Sequence, residues 1–258
     1  TKNFNRYIMK NILVTGGSRG IGKQIVKSCI DNEYKVHFTY AKDLSAAKSI
    51  SNDINSKNLS FSKCDLNNVN DIIKLFKDLK ERFKFLDGLV NNAGISGGTN
   101  SIKNLLEKEI NEVLNVNIKS IIISCREAIP LMSVKQGARG GSIVNISSMA
   151  STIGGRKGKT LYAASKGAVD VFTIGAAKEL ASEEIRINAI RPGVIKTDMV
   201  EKELNGDQDK EIHYTKSIPF NRFGKPKEVA DMVCWLLSDK SSFVSGARID
   251  ISGGGFVI

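Results

Sequence analysis

Residues 11–22 read Asn-Ile-Leu-Val-Thr-Gly-Gly-Ser-Arg-Gly-Ile-Gly. The apolar run Asn11–Thr15 has the character of a short strand and ends in glycines. Over Ile21–Ile30, apolar residues recur at helical spacing. A strand that turns through glycines into a helix can present backbone N–H groups and the helix dipole to a pyrophosphate. The glycines allow a tight turn and let the backbone approach a ligand where a β-carbon would interfere.

The alternation continues along the chain. Lys35–Tyr40, Leu59–Lys63, Leu86–Val90, Ser142–Ile146, Ile185–Ile190 and Ala247–Ile251 read as strands. Between them Leu44–Ile54, Asp71–Phe83, Ile110–Met132, Leu161–Leu180 and Lys227–Leu237 read as helices. Strands separated by helices of this length need crossover connections, so the pattern predicts a doubly wound, mostly parallel α/β sheet covered on both faces. No Pro/Gly/Ser-rich linker, internal repeat or low-complexity tract divides the chain. One Rossmann-type domain over residues 9–258 is expected, with its ligand at the carboxyl ends of the strands. Residues 1–8 precede Met9 and read as a short extension or cloning remnant.

Composition narrows the function classes. The chain has 258 residues, 41% of them hydrophobic, enough to bury roughly three-quarters of its unfolded surface without a staple. No apolar run approaches the ~20 residues of a membrane span. Cys29, Cys64, Cys125 and Cys234 are scattered without paired spacing, and the two histidines, His37 and His213, lack a second ligand nearby. The cysteines point to a reduced, cytoplasmic protein, and no metal site is expected. The net charge of +11 fits a solvated lysine-rich surface, and no nucleic-acid-binding motif accompanies it.

The spacing Thr15-Gly16-x-x-x-Gly20-x-Gly22 resembles the short-chain dehydrogenase/reductase family, and six further segments follow in the family's order. Asp65, after the third strand, matches the acid that meets the adenine ring. Asn91-Asn92-Ala93-Gly94 matches the turn after the fourth strand. Asn117 sits where the family has its helix-borne active-site asparagine, and Ser148 aligns with the catalytic serine. Tyr162-Ala163-Ala164-Ser165-Lys166 matches the Tyr-x-x-x-Lys signature. Pro192-Gly193, with Val194, Ile195 and Thr197, matches the segment lying along the nicotinamide. The resemblance implies a carbonyl reductase or alcohol dehydrogenase with Asn117, Ser148, Tyr162 and Lys166 as catalytic residues. The cofactor would be held by Thr15, Gly16, Ser18, Arg19, Gly20, Ile21, Gly22, Thr39, Asp65, Asn92, Ala93, Gly94, Tyr162, Lys166, Pro192, Gly193, Ile195 and Thr197. It also implies tetramers built through the long helices that bear Asn117 and Tyr162.

The residue chemistry agrees. Tyr162 and Lys166 are four apart, so on a helix they share a face. A phenol titrating near ~10 is a poor acid–base group at neutral pH, and a nearby ammonium is expected to lower that value. Ser148 can hydrogen-bond a carbonyl oxygen that gains negative charge. Tyr7, Tyr34, Tyr40 and Tyr214 all lack a lysine four residues on. Loss of Tyr162 or Lys166 would favour a catalytically silent dinucleotide sensor, the remote alternative, but both are present with Ser148 and Asn117.

The end of the second strand, Phe38-Thr39-Tyr40-Ala41-Lys42, has no acid before Asp43 to bind a ribose 2′-hydroxyl. Arg19 sits where relatives meet a 2′-phosphate, with Thr39 and Lys42 to assist. NADP(H) is therefore expected over NAD(H). For the substrate, the resemblance points to 3-oxoacyl-acyl-carrier-protein reductases, with sugar, polyol or small-ketone dehydrogenases as the alternative. The loop Met149–Leu161, one residue longer than in many relatives, carries Arg156, Lys157 and Lys159, either as a solvated surface or as a basic lip for an anionic substrate or acidic carrier. Arg139 matches one carrier-contacting arginine of such relatives, whereas the second position holds Glu183, flanked by Glu184. Met199–Phe220 is expected to form the variable substrate flap.

Overall fold

Ile12, Leu13 and Val14 are all completely buried, because the first strand is covered on both faces. Ile12 and Val14 point into one hydrophobic layer and Leu13 into the other, as the two-residue period of a strand requires. A computed structural model of the protein describes residues 9–255. The expected extension at 1–8 and the last three residues of the expected domain lie outside the described residues.

The sheet has seven parallel strands in the order β3-β2-β1-β4-β5-β6-β7. They are β1 (Asn11–Val14), β2 (Lys35–Tyr40), β3 (Leu59–Lys63), β4 (Gly88–Asn91), β5 (Gly141–Ile146), β6 (Ile185–Pro192) and β7 (Arg248–Ile251). Helices α1 (Gly20–Asp31), α2 (Leu44–Ile54) and α10 (Pro226–Leu237) cover one face, on a core that includes Ile25, Val26, Cys29, Val229 and Val233. The other face is covered by α3 (Val69–Phe83), α5 (Ser120–Met132) and α7 (Thr160–Leu180), through Leu75, Leu79, Ile121, Leu131 and Val169. A fully buried Leu or Ile stabilises by about 2 kcal/mol relative to exposure, so these layers hold the strand ends rigidly in register. The strand order reverses between β1 and β4, and the crevice above that reversal is where an open sheet of this kind receives a ligand.

Three local departures from the sequence pattern matter for the site. The helix expected over Ile110–Met132 is broken into α4 (Glu107–Leu114), a π turn over Asn115–Lys119, and α5. Ser120 N donates to Asn115 O, five residues back, a wider loop of chain that periodicity cannot reveal. The loop Met149–Leu161 contains a single-turn helix, α6 (Ala150–Ile153). The flap Met199–Phe220 contains α8 (Asp198–Leu204) and α9 (Gln208–Lys216), both too polar to show an apolar stripe. Among the described residues all four cysteines are free and buried.

Candidate active site

The glycine turn is built from below. Thr15 Oγ1 accepts from Asn92 N at 3.1 Å and Ala93 N at 3.2 Å, and Asn92 Nδ2 donates to Thr15 O and Gly16 O at 2.9 and 3.0 Å. These bonds tie β4 to the turn and leave Ala93-Gly94 on the crevice side. Gly16 and Gly20 have φ of +65° and +53°, backbone that favours glycine. At Gly22 the constraint is space, since a Cβ there would lie 2.2 Å from Gly16 O.

Above the turn, α1 begins without a side-chain cap and without an acid in its first turn. Its first N–H groups therefore point unsatisfied toward the crevice, a fitting cradle for a pyrophosphate. Across the gap, a Cβ on Gly20 would meet only Thr197 side-chain atoms at 3.5 and 3.7 Å. Pro192-Gly193 is tied in by Met149 N donating to Pro192 O at 3.0 Å and Gly193 N to Ile251 O at 2.9 Å. The Ile195 side chain is buried rather than facing the crevice, so any part it takes there falls to its main chain. Asp65 is exposed and accepts from Asn67 N through one oxygen, which leaves the other for a donor such as an adenine amine.

Thr39 corrects the sequence reading. Its side chain is buried, and Oγ1 accepts from Gly16 N at 3.2 Å. It braces the turn from underneath rather than assisting at a ribose phosphate, because alternation along β2 points it into the protein. Arg19, by contrast, is exposed at the mouth of the turn. Asp43, the acid nearest this corner in sequence, caps α2 by accepting from Ala46 N at 2.9 Å and Ser45 Oγ at 2.7 Å. Those bonds hold its carboxyl below the usual range, with a smaller contribution from Arg19.

The expected catalytic residues converge at the carboxyl ends of β4 and β5. The Ser148 hydroxyl, which accepts from Ala150 N at 3.1 Å, stands beside the Tyr162 phenol and acts on it. Lys166, one turn beyond Tyr162 on α7, is almost fully buried, with Nζ 5.9 Å from the centre of the Tyr162 ring. It donates to Ile146 O at 2.7 Å, leaving two N–H donors for other acceptors. Burial lowers its pKa to about 8, against an opposing pull from Asp170. Tyr162 departs from expectation, its pKa being raised. Burial is the dominant cause, and the Ser148 side chain opposes it only in part. The Lys166 ammonium is engaged by the Ile146 carbonyl and does not offset the loss of water around the phenol.

Asn117 lies on the π turn and is completely buried. Its Oδ1 accepts from Ile95 N at 2.8 Å, and Nδ2 donates to Ile95 O at 2.8 Å and Ser165 Oγ at 3.0 Å. Ser165 Oγ in turn donates to Tyr162 O at 2.7 Å. Ser165, inside the Tyr-x-x-x-Lys segment but given no part by sequence reading, thus links Asn117 to the helix turn that carries Tyr162.

The basic loop is not a free lip. Lys159 Nζ donates to Gly97 O and Gly98 O at 3.1 and 3.0 Å, and the Arg156 guanidinium stacks 4.1 Å from the Tyr214 ring on α9. Two of its three cations therefore clasp the loop to its neighbours. Arg139 forms an ion pair with Asp87 at 2.9 Å and lies over Phe85. Glu183 accepts from Ser133 Oγ and pairs with Lys135. Among the described residues no group of His, Cys, Asp and Glu side chains is arranged to hold a metal.

Known proteins resemble this chain over nearly its whole length. The family described as enoyl-(acyl carrier protein) reductase matches residues 16–255. An uncharacterized oxidoreductase, YgfF, of Escherichia coli K12 is 40% identical over 245 residues, 94% of this chain and 98% of that one. The 3-oxoacyl-[acyl-carrier-protein] reductase FabG of Staphylococcus aureus (strain Mu50) is 35% identical, covering 95% of this chain and 97% of its own. The crystal structure of a short chain dehydrogenase from Burkholderia cenocepacia J2315 in complex with NADP superposes with a TM-score of 0.86. It is 30% identical and covers 95% of this chain and 97% of that one.

Proposed function

The chain belongs to the short-chain dehydrogenase/reductase family of NAD(P)-dependent oxidoreductases acting on alcohols and carbonyls, and on that premise we propose that it is an NADPH-dependent reductase of a 3-oxoacyl thioester, presented on an acyl carrier protein. The observation that carries the reductase reading is the convergence of the Ser148 hydroxyl, the Tyr162 phenol and the buried Lys166 ammonium, its Nζ 5.9 Å from the centre of the Tyr162 ring, at the strand ends near the uncapped α1 turn. Residues 9–258 are taken as one cofactor-binding domain.

In this reading the α1 N-terminus and the Gly16, Ser18, Gly20, Ile21 and Gly22 backbone hold the pyrophosphate. Arg19 takes the 2′-phosphate and Asp65 the adenine, while Ala93-Gly94, Pro192-Gly193, the Ile195 main chain and Thr197 flank the nicotinamide end. Thr15 and Asn92 act from below by fixing the turn. NADPH bound there supplies a hydride to the carbonyl carbon. Ser148 donates a hydrogen bond to the carbonyl oxygen as it gains negative charge. Tyr162 gives that oxygen its phenolic proton, and the Lys166 ammonium stabilises the phenolate left behind. Asn117 holds the Ile95 loop and the Tyr162 turn in place.

The acyl-carrier reading is supported by the FabG relative's printed activity, over nearly the full length of both chains, and it would set the enzyme in fatty acid biosynthesis. A sugar, polyol or small-ketone substrate is the second reading. It is favoured by the pairing of Arg139 to Asp87, and by the acids Glu183 and Glu184 at the other expected carrier contact; acids there would repel an acidic partner. The experiment compares acetoacetyl on its carrier protein with acetoacetyl on a short thioester, at low and high salt. A salt-sensitive gain in kcat/KM with the carrier is expected. Equal values for the two would move the assignment to the small carbonyl.

Exposed Leu114, Ile122 and Val171 on α4, α5 and α7 support a homotetramer through those helices, which light scattering tests. The four free cysteines support a reducing, cytoplasmic setting. No helix among the described residues is long and apolar enough to cross a membrane.

A further inference from the structure

Asp170, one turn beyond Lys166 on α7, is 5% exposed, and its Oδ1 has no hydrogen-bond partner among the described residues. A buried carboxylate half without a partner is costly and marks a group kept for its charge. Its other oxygen is held firmly. Ser151 Oγ lies 2.6 Å from Asp170 Oδ2 and 2.7 Å from Ser148 O, so one hydroxyl proton serves both acceptors. Arg191 Nη1, at the end of β6, stands 3.7 Å from the same oxygen, while its Nε donates to Asp250 Oδ1 at 2.5 Å. Asp170 thus joins three pieces of the site: the helix that carries Tyr162 and Lys166, the turn that carries Ser148, and the strand that runs into Pro192-Gly193.

We propose that Asp170 is a positioning residue for the reductase chemistry, a fixed negative charge beneath the site that keeps the buried Lys166 ammonium protonated at working pH. The inference rests on the reductase reading above and deepens it. The charged and titratable groups of this cluster are few. Tyr162, Lys166 and Asp170 come from α7, Arg191 from β6 and Asp250 from β7. β5 and α6 have no ionisable residue, and on α4 Glu109 is turned to Gly98 N and Asn100 Nδ2. Asp170, four residues along the same helix, is a charge that acts on Lys166, and it opposes the effect of burial. Arg191 and Ser151 hold the carboxylate, and Arg191 is shared with Asp250.

The test is the pH dependence of Asp170→Asn, which keeps the shape and removes the charge. With a broad diketone substrate and NADPH, the basic limb of kcat should move to lower pH by about one unit. Turnover should therefore fall several-fold above neutrality and approach that of the unmutated enzyme at lower pH. Ser151→Ala, which removes a hydrogen bond but keeps the charge, should leave the limb in place. A second readout needs no turnover. Thermal unfolding without cofactor is followed over about pH 6 to 10, each protein compared with its Lys166→Met counterpart. The pH at which stability starts to climb, as the buried ammonium loses its proton, should lie lower in Asp170→Asn. Should that variant not fold, Asp170→Ser, which leaves room for a water, gives the same comparison. An unchanged limb and onset, or an equal shift in Ser151→Ala, overturns the proposal. Absence of any carbonyl turnover in the unmutated enzyme would instead refute the reductase reading, while the unfolding comparison still judges Asp170.

Discussion

Asn117 and Ile95 are locked in a reciprocal pair, the side-chain amide giving and receiving one hydrogen bond of 2.8 Å with each main-chain group of Ile95. The pair fastens the loop after β4, which forms one wall of the crevice, to the π turn opposite Tyr162. Asn117→Ala leaves the Ile95 N–H and carbonyl without these partners. Each unsatisfied buried group costs about 1–3 kcal/mol. The variant should lose at least ~2 kcal/mol in urea unfolding, together with most turnover, and unchanged stability would remove the clamp from the account.

Tyr162→Phe keeps the ring packing on α7 and deletes the proton donor beside Ser148. Turnover should drop at least ~10²-fold, the usual scale for positioned acid–base catalysis. NADPH affinity, followed by quenching of Trp235 fluorescence, should stay within a few-fold. A variant with ordinary turnover would show that another group supplies the proton.

Arg19→Ala should separate the two cofactors. The guanidinium is exposed at the mouth of the turn, and its charge-assisted bonds to a 2′-phosphate have no counterpart with a 2′-hydroxyl. NADPH affinity should weaken ~10-fold or more and NADH affinity should barely change. Equal affinity for both cofactors in the unmutated protein would already contradict the proposed preference.

At Gly22 an added methyl would sit 2.2 Å from Gly16 O and 2.5 Å from Asn92 Nδ2. The Asn92 end of that contact can swing only by giving up its bonds to Thr15 and Gly16. Gly22→Ala should therefore lose cofactor binding and several degrees of unfolding temperature together. Retention of both would mean that α1 can shift without harm.

His37 sets a pH limit far from the crevice. It is buried on β2 between Ser60 Oγ and Ser62 Oγ, both at 2.9 Å. Burial, aided by Arg82 and opposed by Asp78, lowers its pKa to about 4. An unfolded histidine titrates near ~6.5, so between those values the unfolded chain binds more protons. Stability should therefore be fully present above about pH 6.5 and fall, by up to ~3 kcal/mol, as pH drops toward 4. His37→Gln should flatten that part of the curve in urea titrations.

Much of this protein is legible along the chain. The alternation of strand and helix, the glycine turn at 15–22 and the four-residue spacing of Tyr162 and Lys166 are short-range patterns. Backbone geometry converts such patterns directly into elements and shared faces. Other features exist only once distant segments meet. The π turn hides in an ordinary helical sequence, because its wider loop is held by bonds from Asn117 to Ile95 and to Ser165 on another helix. Thr39 reads as a ribose contact until the sheet turns it under Gly16. Arg156 and Lys159 read as a free basic lip until Tyr214 and the 97–98 carbonyls engage them. The upward shift of Tyr162 and the downward shift of Lys166, which Asp170 opposes, depend on how much water the packed layers exclude. Sequence spacing carries direction along one element. Desolvation and pairing between elements are set by which parts of the chain the crossovers bring together.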